Sequence, residues 1–186
     1  MKQVHRSIVL IGMMGAGKSS VGRCLRRRTG LALLDIDEVV ASKFGMSIPE
    51  IFAEYGEKKF REAETEVLRR VRTEEQTIIV TGGGIVLRKE NVEILKSQAA
   101  IVWLDGDEET LFARASRKQN RPLLQTKNPR KAFSQILGAR RPLYANIANI
   151  RVDTSVLTDE EVAVAILAKL RRMNPKPESP IRARAS

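Results

Sequence analysis

Short apolar runs alternate along this chain with longer stretches of helical period. Residues 8–11, 31–34, 77–80 and 99–104 are apolar almost without interruption. A strand apolar on both faces is one buried on both faces, as in a parallel sheet covered by helices. A fifth run, Ile150-Arg151-Val152-Asp153, carries an arginine and reads as a strand nearer an edge. Between the runs, the spacing predicts a helix after Lys18 that stops at Thr29-Gly30, and others over about 57–72, 91–96, 107–118, 129–144 and 158–172. Two capping boxes mark helix starts, Ser47-Ile48-Pro49-Glu50 and Thr158-Asp159-Glu160-Glu161. The first opens a short helix through Phe52, and Tyr55-Gly56 breaks it before the longer one begins. Such alternation implies an α/β fold: a doubly wound, five-stranded parallel sheet with helices on both faces. There is no internal repeat.

With 186 residues the chain is expected to form one domain, over 1–173. Residues 174–186, with three prolines and scattered arginines, are expected to be a disordered basic tail. Composition is ordinary for a soluble protein, and no apolar run is long enough to cross a bilayer. Met1 to Arg6 lead straight into the first strand, leaving no room for a signal peptide, so a cytoplasmic location is expected; a monomer without membrane association is expected besides. The lone Cys24 reads as a buried helix position.

The net charge of +11 raises the question of anionic partners. Arg26-Arg27-Arg28 falls where the first helix ends and reads as dipole compensation on a solvated face. The segment 114–141 holds nine lysines and arginines and no acid, which calls for a local anion. No nucleic-acid-binding motif accompanies these charges, so no specific nucleic acid is expected.

The strongest local signal is Gly12-Met13-Met14-Gly15-Ala16-Gly17-Lys18-Ser19, a phosphate-binding loop set between a buried strand and a helix. Its glycines let backbone N–H groups converge on phosphate oxygens, at the positive end of a helix dipole. Gly15, Ala16, Gly17, Lys18, Ser19 and Ser20 are therefore candidate ATP ligands, with Lys18 reaching the terminal phosphates and the Ser19 hydroxyl on Mg2+. The second strand ends in Asp35-Ile36-Asp37, which should face the same site. Two roles are open to these acids, holding the metal shell or accepting a proton from an attacking hydroxyl; a plain helix cap with an exposed acid is the bland reading.

The third strand ends not in an acid but in Gly82-Gly83-Gly84, so Asp35 is the better metal candidate, and the glycines permit close backbone approach to a ligand. Arg61 and Glu64 lie one helical turn apart; they form either a surface pair or an arginine held ready for a carboxylate. The basic block brackets Asn120-Arg121-Pro122, which cannot continue a helix. A mobile cap over phosphates (about 114–128) would need such charge, with Arg121 its best-placed cation.

In order, the phosphate loop, Asp35-x-Asp37, Phe60-Arg61-x-x-Glu64, Gly82-Gly83-Gly84, Arg121-Pro122-Leu123 and Arg140-x-Pro142-Leu143-Tyr144 resemble the shikimate kinases, over about residues 6–172. The resemblance implies ATP-dependent phosphorylation of the 3-hydroxyl of shikimate, on the route to chorismate and the aromatic amino acids. It implies that Asp37 binds the hydroxyls and acts as base, with Lys18 and Arg121 completing the catalytic set, and that Asp35 stands near Mg2+. Arg61, Arg140 and glycines 82–84 would hold the substrate, Arg121 the transferring phosphate, and Arg114, with the turn after Asp153, the adenine. Rival readings are a gluconate-type or nucleoside-monophosphate kinase on the same fold, and a nucleic-acid-binding ATPase or non-catalytic regulatory module.

Overall fold

The computed structural model describes residues 7–71, 75–117 and 121–173. Five strands, β1 (Ser7–Ile11), β2 (Ala32–Asp35), β3 (Thr77–Val80), β4 (Ala99–Asp105) and β5 (Ile150–Asp153), form one sheet in the order β2-β3-β1-β4-β5. All pairs are parallel, with Leu10 of β1 opposite Val80 on one side and Val102 on the other. β1 and β4 are buried at every residue, as continuous apolar runs require. β5 lies at one edge and alternates, Ile150 and Val152 inward and Arg151 and Asp153 outward. β2 departs from expectation. It forms the other edge, so its residues are exposed or only half-buried despite an equally apolar sequence.

Among the described residues six α-helices connect the strands and a seventh follows β5: α1 (Lys18–Thr29), α2 (Ile36–Phe44), α3 (Ile48–Arg69), α4 (Lys89–Gln98), α5 (Glu108–Ser116), α6 (Pro129–Ile147) and α7 (Asp159–Met173). The path from β1 to β2 runs one way across the sheet, and those from β2 to β3, β3 to β4 and β4 to β5 run the other way. Parallel crossovers are right-handed, so the two directions place their helices on opposite faces. α1 packs beside α7 on one face, while α4 and α6 lie against β4 on the other. Because the chain leaves β1 and β3 in opposite directions, a crevice opens beyond their carboxyl ends, where open α/β sheets bind ligands.

Both capping boxes form: Ser47 and Glu50 bond reciprocally at the start of α3, and Thr158 and Glu161 do so before α7. The break at Gly56 is a kink inside α3, where φ is 77° and ψ 168°, values a side chain would resist. Helix α2 is absent from the helices that the apolar spacing predicts, and corresponds to the cap reading of Asp35. Asp35 caps it, accepting from the Asp37 N–H at 3.1 Å, and Asp37 and Glu38 supply favourable charge to its first turn. The expected ends of two helices, at Arg72 and Lys118, fall outside the described residues, as does the tail 174–186. Among the described residues no helix is long and apolar enough to cross a membrane.

Candidate active site

The phosphate loop joins β1 to α1, with Gly15 at φ 87° and Gly17 at φ 82°. Space as well as conformation excludes side chains here. A Cβ on Gly15 would stand 2.1 Å from the carbonyl oxygen of Leu111, so the loop is seated against α5. The Lys18 ammonium lies inside the loop, donating to the carbonyls of Gly12 at 2.8 Å and Met13 at 3.0 Å. Burial lowers its pKa to about 8, with Asp37 pulling upward against it. A phosphate beside such a lysine would restore full charge, since the anion favours the protonated form.

Ser19 donates to Asp35 Oδ2 at 2.9 Å. A hydroxyl and a carboxylate oxygen therefore stand together at the loop's mouth, with Asp35 Oδ1 occupied in capping α2. This hard, oxygen-only pair fits Mg2+, which uses one or two protein oxygens and takes the rest from phosphates and water. Asp35 thus combines a helix cap and a metal-compatible oxygen, two readings the sequence set against each other. Ser20 accepts from Arg23 on the exposed side of α1.

Asp37, Arg61, Gly82, Gly83, Gly84, Arg121 and Arg140 line one cavity of about 380 Å³. Five segments far apart in sequence meet there, at the carboxyl end of β3 beside the phosphate loop. Met14, Phe60, Pro122 and Leu123, all members of the quoted motifs, join Ile48, Pro49 and Phe52 in an apolar wall. The signal for the last three was the capping box that placed Ile48 and Phe52 in a short helix of their own.

Arg61 and Glu64 are a buried pair, not a surface one. Arg61 Nη1 donates to Glu64 Oε2 at 2.6 Å, while Nε and Nη2 donate to Glu57 Oε1 at 3.1 and 2.9 Å. Glu64 is fully buried, and desolvation raises its pKa to about 7. Asp37 is also held above the usual carboxylate range, first by desolvation and then by the charge of Asp35. Its Oδ1 is buried without a partner among the described residues, as expected of an oxygen meant for a ligand.

The triple glycine lines the cavity and also serves a purpose that was not expected. Gly84 has a φ of −96°, which any residue could adopt. A Cβ there would lie 2.3 Å from the Arg61 Cζ, and one on Gly82 would meet Glu64 Oε1 at 2.5 Å and Asp37 Oδ1 at 2.8 Å. The glycines make room for the site's own charged side chains, which press against bare backbone. Gly83 is fixed from the far side, its carbonyl accepting from the Tyr144 hydroxyl of α6. That contact, one turn beyond Arg140, ties the helix bearing the second arginine to the same loop.

The acid-free basic block is dispersed by folding. Arg130 pairs with Glu109, and Arg141 donates to Asp105 at 3.4 Å and to the Gly106 carbonyl. These acids sit just upstream, at the end of β4 and the start of α5, so two of the block's cations find their counter-charge within the chain. Arg114 donates to Thr154 Oγ1 and the Ser155 carbonyl, both at 3.3 Å, and so lies against the turn after Asp153. It stands on the loop side, outside the cavity. Arg121 and Arg140 face the cavity, and desolvation lowers the pKa of Arg121. At the end of α1, Arg27 and Arg28 grip Glu160 of α7 instead of facing solvent alone. Cys24 is buried as expected, its thiol pushed up by desolvation.

Sequence missed Asp105. Buried at the end of β4, it accepts from Arg141 and from Arg151 at 2.7 Å, and its carbonyl accepts from Thr154. It joins α6, β5 and the turn holding Arg114. No pattern marks it, because it closes an otherwise ordinary apolar strand.

The family model for shikimate kinase matches residues 14–171. The shikimate kinase of Thermodesulfovibrio yellowstonii is 41% identical over 169 residues, 91% of this chain and 97% of that one. The solved structure of the Acinetobacter baumannii shikimate kinase in complex with shikimate superposes with a TM-score of 0.88 at 36% identity, covering 92% of this chain and 96% of that one. A gluconokinase from Sinorhizobium meliloti covers 92% and 97% with a TM-score of 0.55 at 20% identity, a likeness of fold alone. The chain belongs to the shikimate kinase family.

Proposed function

We propose that this chain transfers the terminal phosphoryl group of ATP to the 3-hydroxyl of shikimate, giving shikimate 3-phosphate on the route to aromatic amino acids. One observation carries the reading beyond family membership. A single cavity beside the phosphate loop holds three arginines, one aspartate with a buried oxygen that no described residue occupies, and an apolar wall. A small ring acid with several hydroxyls presents the complementary groups. Its carboxylate meets Arg61 and Arg140, whose planar forks suit two oxygens, and its hydroxyls meet Asp37 Oδ1.

Phosphoryl transfer asks little covalent help from a protein, so positioning and charge carry the catalysis. Asp37 orients the acceptor hydroxyl and takes its proton; its raised pKa brings it nearer the strength such a base needs. Lys18 and Arg121 together offset charge on the transferring group. Ser19 and Asp35 would hold Mg2+, which supplies charge neutralisation at the terminal phosphates. Arg114 and the turn at Thr154 and Ser155 cover the adenine. The segment of about 114–128 acts as a lid that carries Arg121 towards the phosphates and excludes water. Residues 1–173 form the kinase domain.

The test is ATP consumption with shikimate as acceptor, beside gluconate and nucleoside monophosphates, for the parent and Arg61→Ala. Shikimate alone should support rapid turnover, and Arg61→Ala should weaken its use while sparing ATP. Gluconate turnover of equal efficiency would displace the assignment.

A further inference from the structure

Arg61 is already committed before any substrate carboxylate reaches it. Three of its five N–H groups go to Glu64 and Glu57, leaving one on each terminal nitrogen to face the cavity. Glu57 is nearly half exposed and water can screen it, whereas Glu64 is fully enclosed. Adding a third carboxylate to the same guanidinium sets the newcomer against two anions, one of them with no access to water.

A second observation points to how this is resolved. Glu64 Oε1 and Asp37 Oδ1 are both buried acceptors without a partner. Both flank the α-carbon of Gly82, within 2.5 and 2.8 Å of where a Cβ would be. No donor among the described residues reaches either oxygen. A proton on Glu64 Oε1 would supply that donor while leaving Oε2 to accept from Arg61.

We propose that Glu64 takes up a proton from solvent when the substrate carboxylate docks on Arg61, making acid-substrate binding proton-linked. This rests on the assignment of the Arg61 and Arg140 cavity to a carboxylate. The groups facing Glu64 are Arg61 on its own helix, Asp37 from α2 and Arg140 from α6; Arg88 lies one shell away, donating to the Arg61 carbonyl and to Thr65. Docking spends part of the attraction of Arg61 and Arg140 on the newcomer, so the ionised form of Glu64 loses support and its proton affinity rises. A pKa already raised to about 7 places the effect in the working range. The pocket thereby accepts an anion without gaining net charge. Affinity falls as pH rises above about 7, because the proton must then be taken from scarcer supply.

The experiment is calorimetric titration of the full chain with shikimate, without nucleotide, near pH 7.5 in PIPES and in Tris, whose ionisation enthalpies differ. The substrate's own carboxylate, with an ordinary pKa near ~4, exchanges no proton there. Binding heats should differ between buffers by an uptake on the order of half a proton, for a shift of about one pKa unit. Glu64→Gln should bind shikimate with no buffer dependence. Equal heats in both buffers for the parent, or an undiminished buffer dependence in Glu64→Gln, would overturn the proposal. Should Glu64→Gln fail to fold, the parent's KM for shikimate decides: it should rise between about pH 7 and 8, and a flat profile counts against the idea. No binding in either buffer would remove the shikimate assignment itself, and the proposal with it.

Discussion

On the nucleotide side of the cleft, the groups that would meet phosphate, Arg121 apart, lie in one unbroken run, residues 12–19. On the acid side, Asp37, Arg61, glycines 82–84, Arg121 and Arg140 come from five separate segments. The first side works through backbone N–H groups and a helix end, so local sequence suffices to build it. The second works through long charged side chains that satisfy one another under cover from water. Arg61 needs Glu64, both need bare glycine beside them, and Tyr144 holds that glycine loop to the helix of Arg140. A phosphate loop tolerates many neighbours, whereas a pocket of paired charges depends on every member.

Substitutions on the two sides should therefore fail differently. The largest effect is expected from Lys18→Ala, a fall in kcat of about 10²–10³ with little change in thermal stability, since the lysine serves charge on the reacting phosphate. Asp37→Asn should lower kcat comparably while shikimate still binds; a kcat near that of the parent would reduce the carboxylate to a passive contact. Next comes Arg140→Ala, expected to raise KM for shikimate about 10–100-fold and leave KM for ATP almost unchanged, the loss being that of charge-assisted hydrogen bonds. An equal rise in both constants would mean that the arginine serves the fold and not the acid.

Gly84→Ala sharpens the contrast. Its methyl must displace the Arg61 guanidinium, so KM for shikimate should rise about tenfold while nucleotide affinity holds. Gly138→Ala, on the same helix as Arg140 but facing open space, should instead be neutral or stabilise by about 0.4–1 kcal/mol. Asp35→Asn is expected to raise the Mg2+ concentration needed for half-maximal activity, read from a metal titration; an unchanged requirement would leave Asp35 only its role as the α2 cap.

The smallest effect concerns stability against pH. Glu64 holds its proton more tightly in the folded chain than when unfolded, since its pKa rises from 4.5 to about 7. Its contribution to stability is thus fully present below about pH 4.5 and is lost as pH climbs towards 7. Denaturant titrations of the parent and Glu64→Gln should show their difference drifting in favour of the variant across that window. A constant difference would mean the carboxyl is not perturbed.

The apolar runs, turn residues and capping boxes determined five strands, most of the helices and the parallel α/β class, because each is a local agreement between side chain and backbone. The phosphate loop was legible for the same reason, being contiguous. Helix α2 was not, since its start is set by a capping aspartate that also closes a strand. Nor was the half-burial of β2, because strand order is invisible to a run of leucines. Only the tertiary structure decided whether Arg61 and Glu64 were a surface pair or a buried one, and whether the basic block lacked acids or borrowed them from Asp105 and Glu109. Burial and counter-charge depend on what the folded chain brings within a few ångströms, and separation along the sequence says little about that.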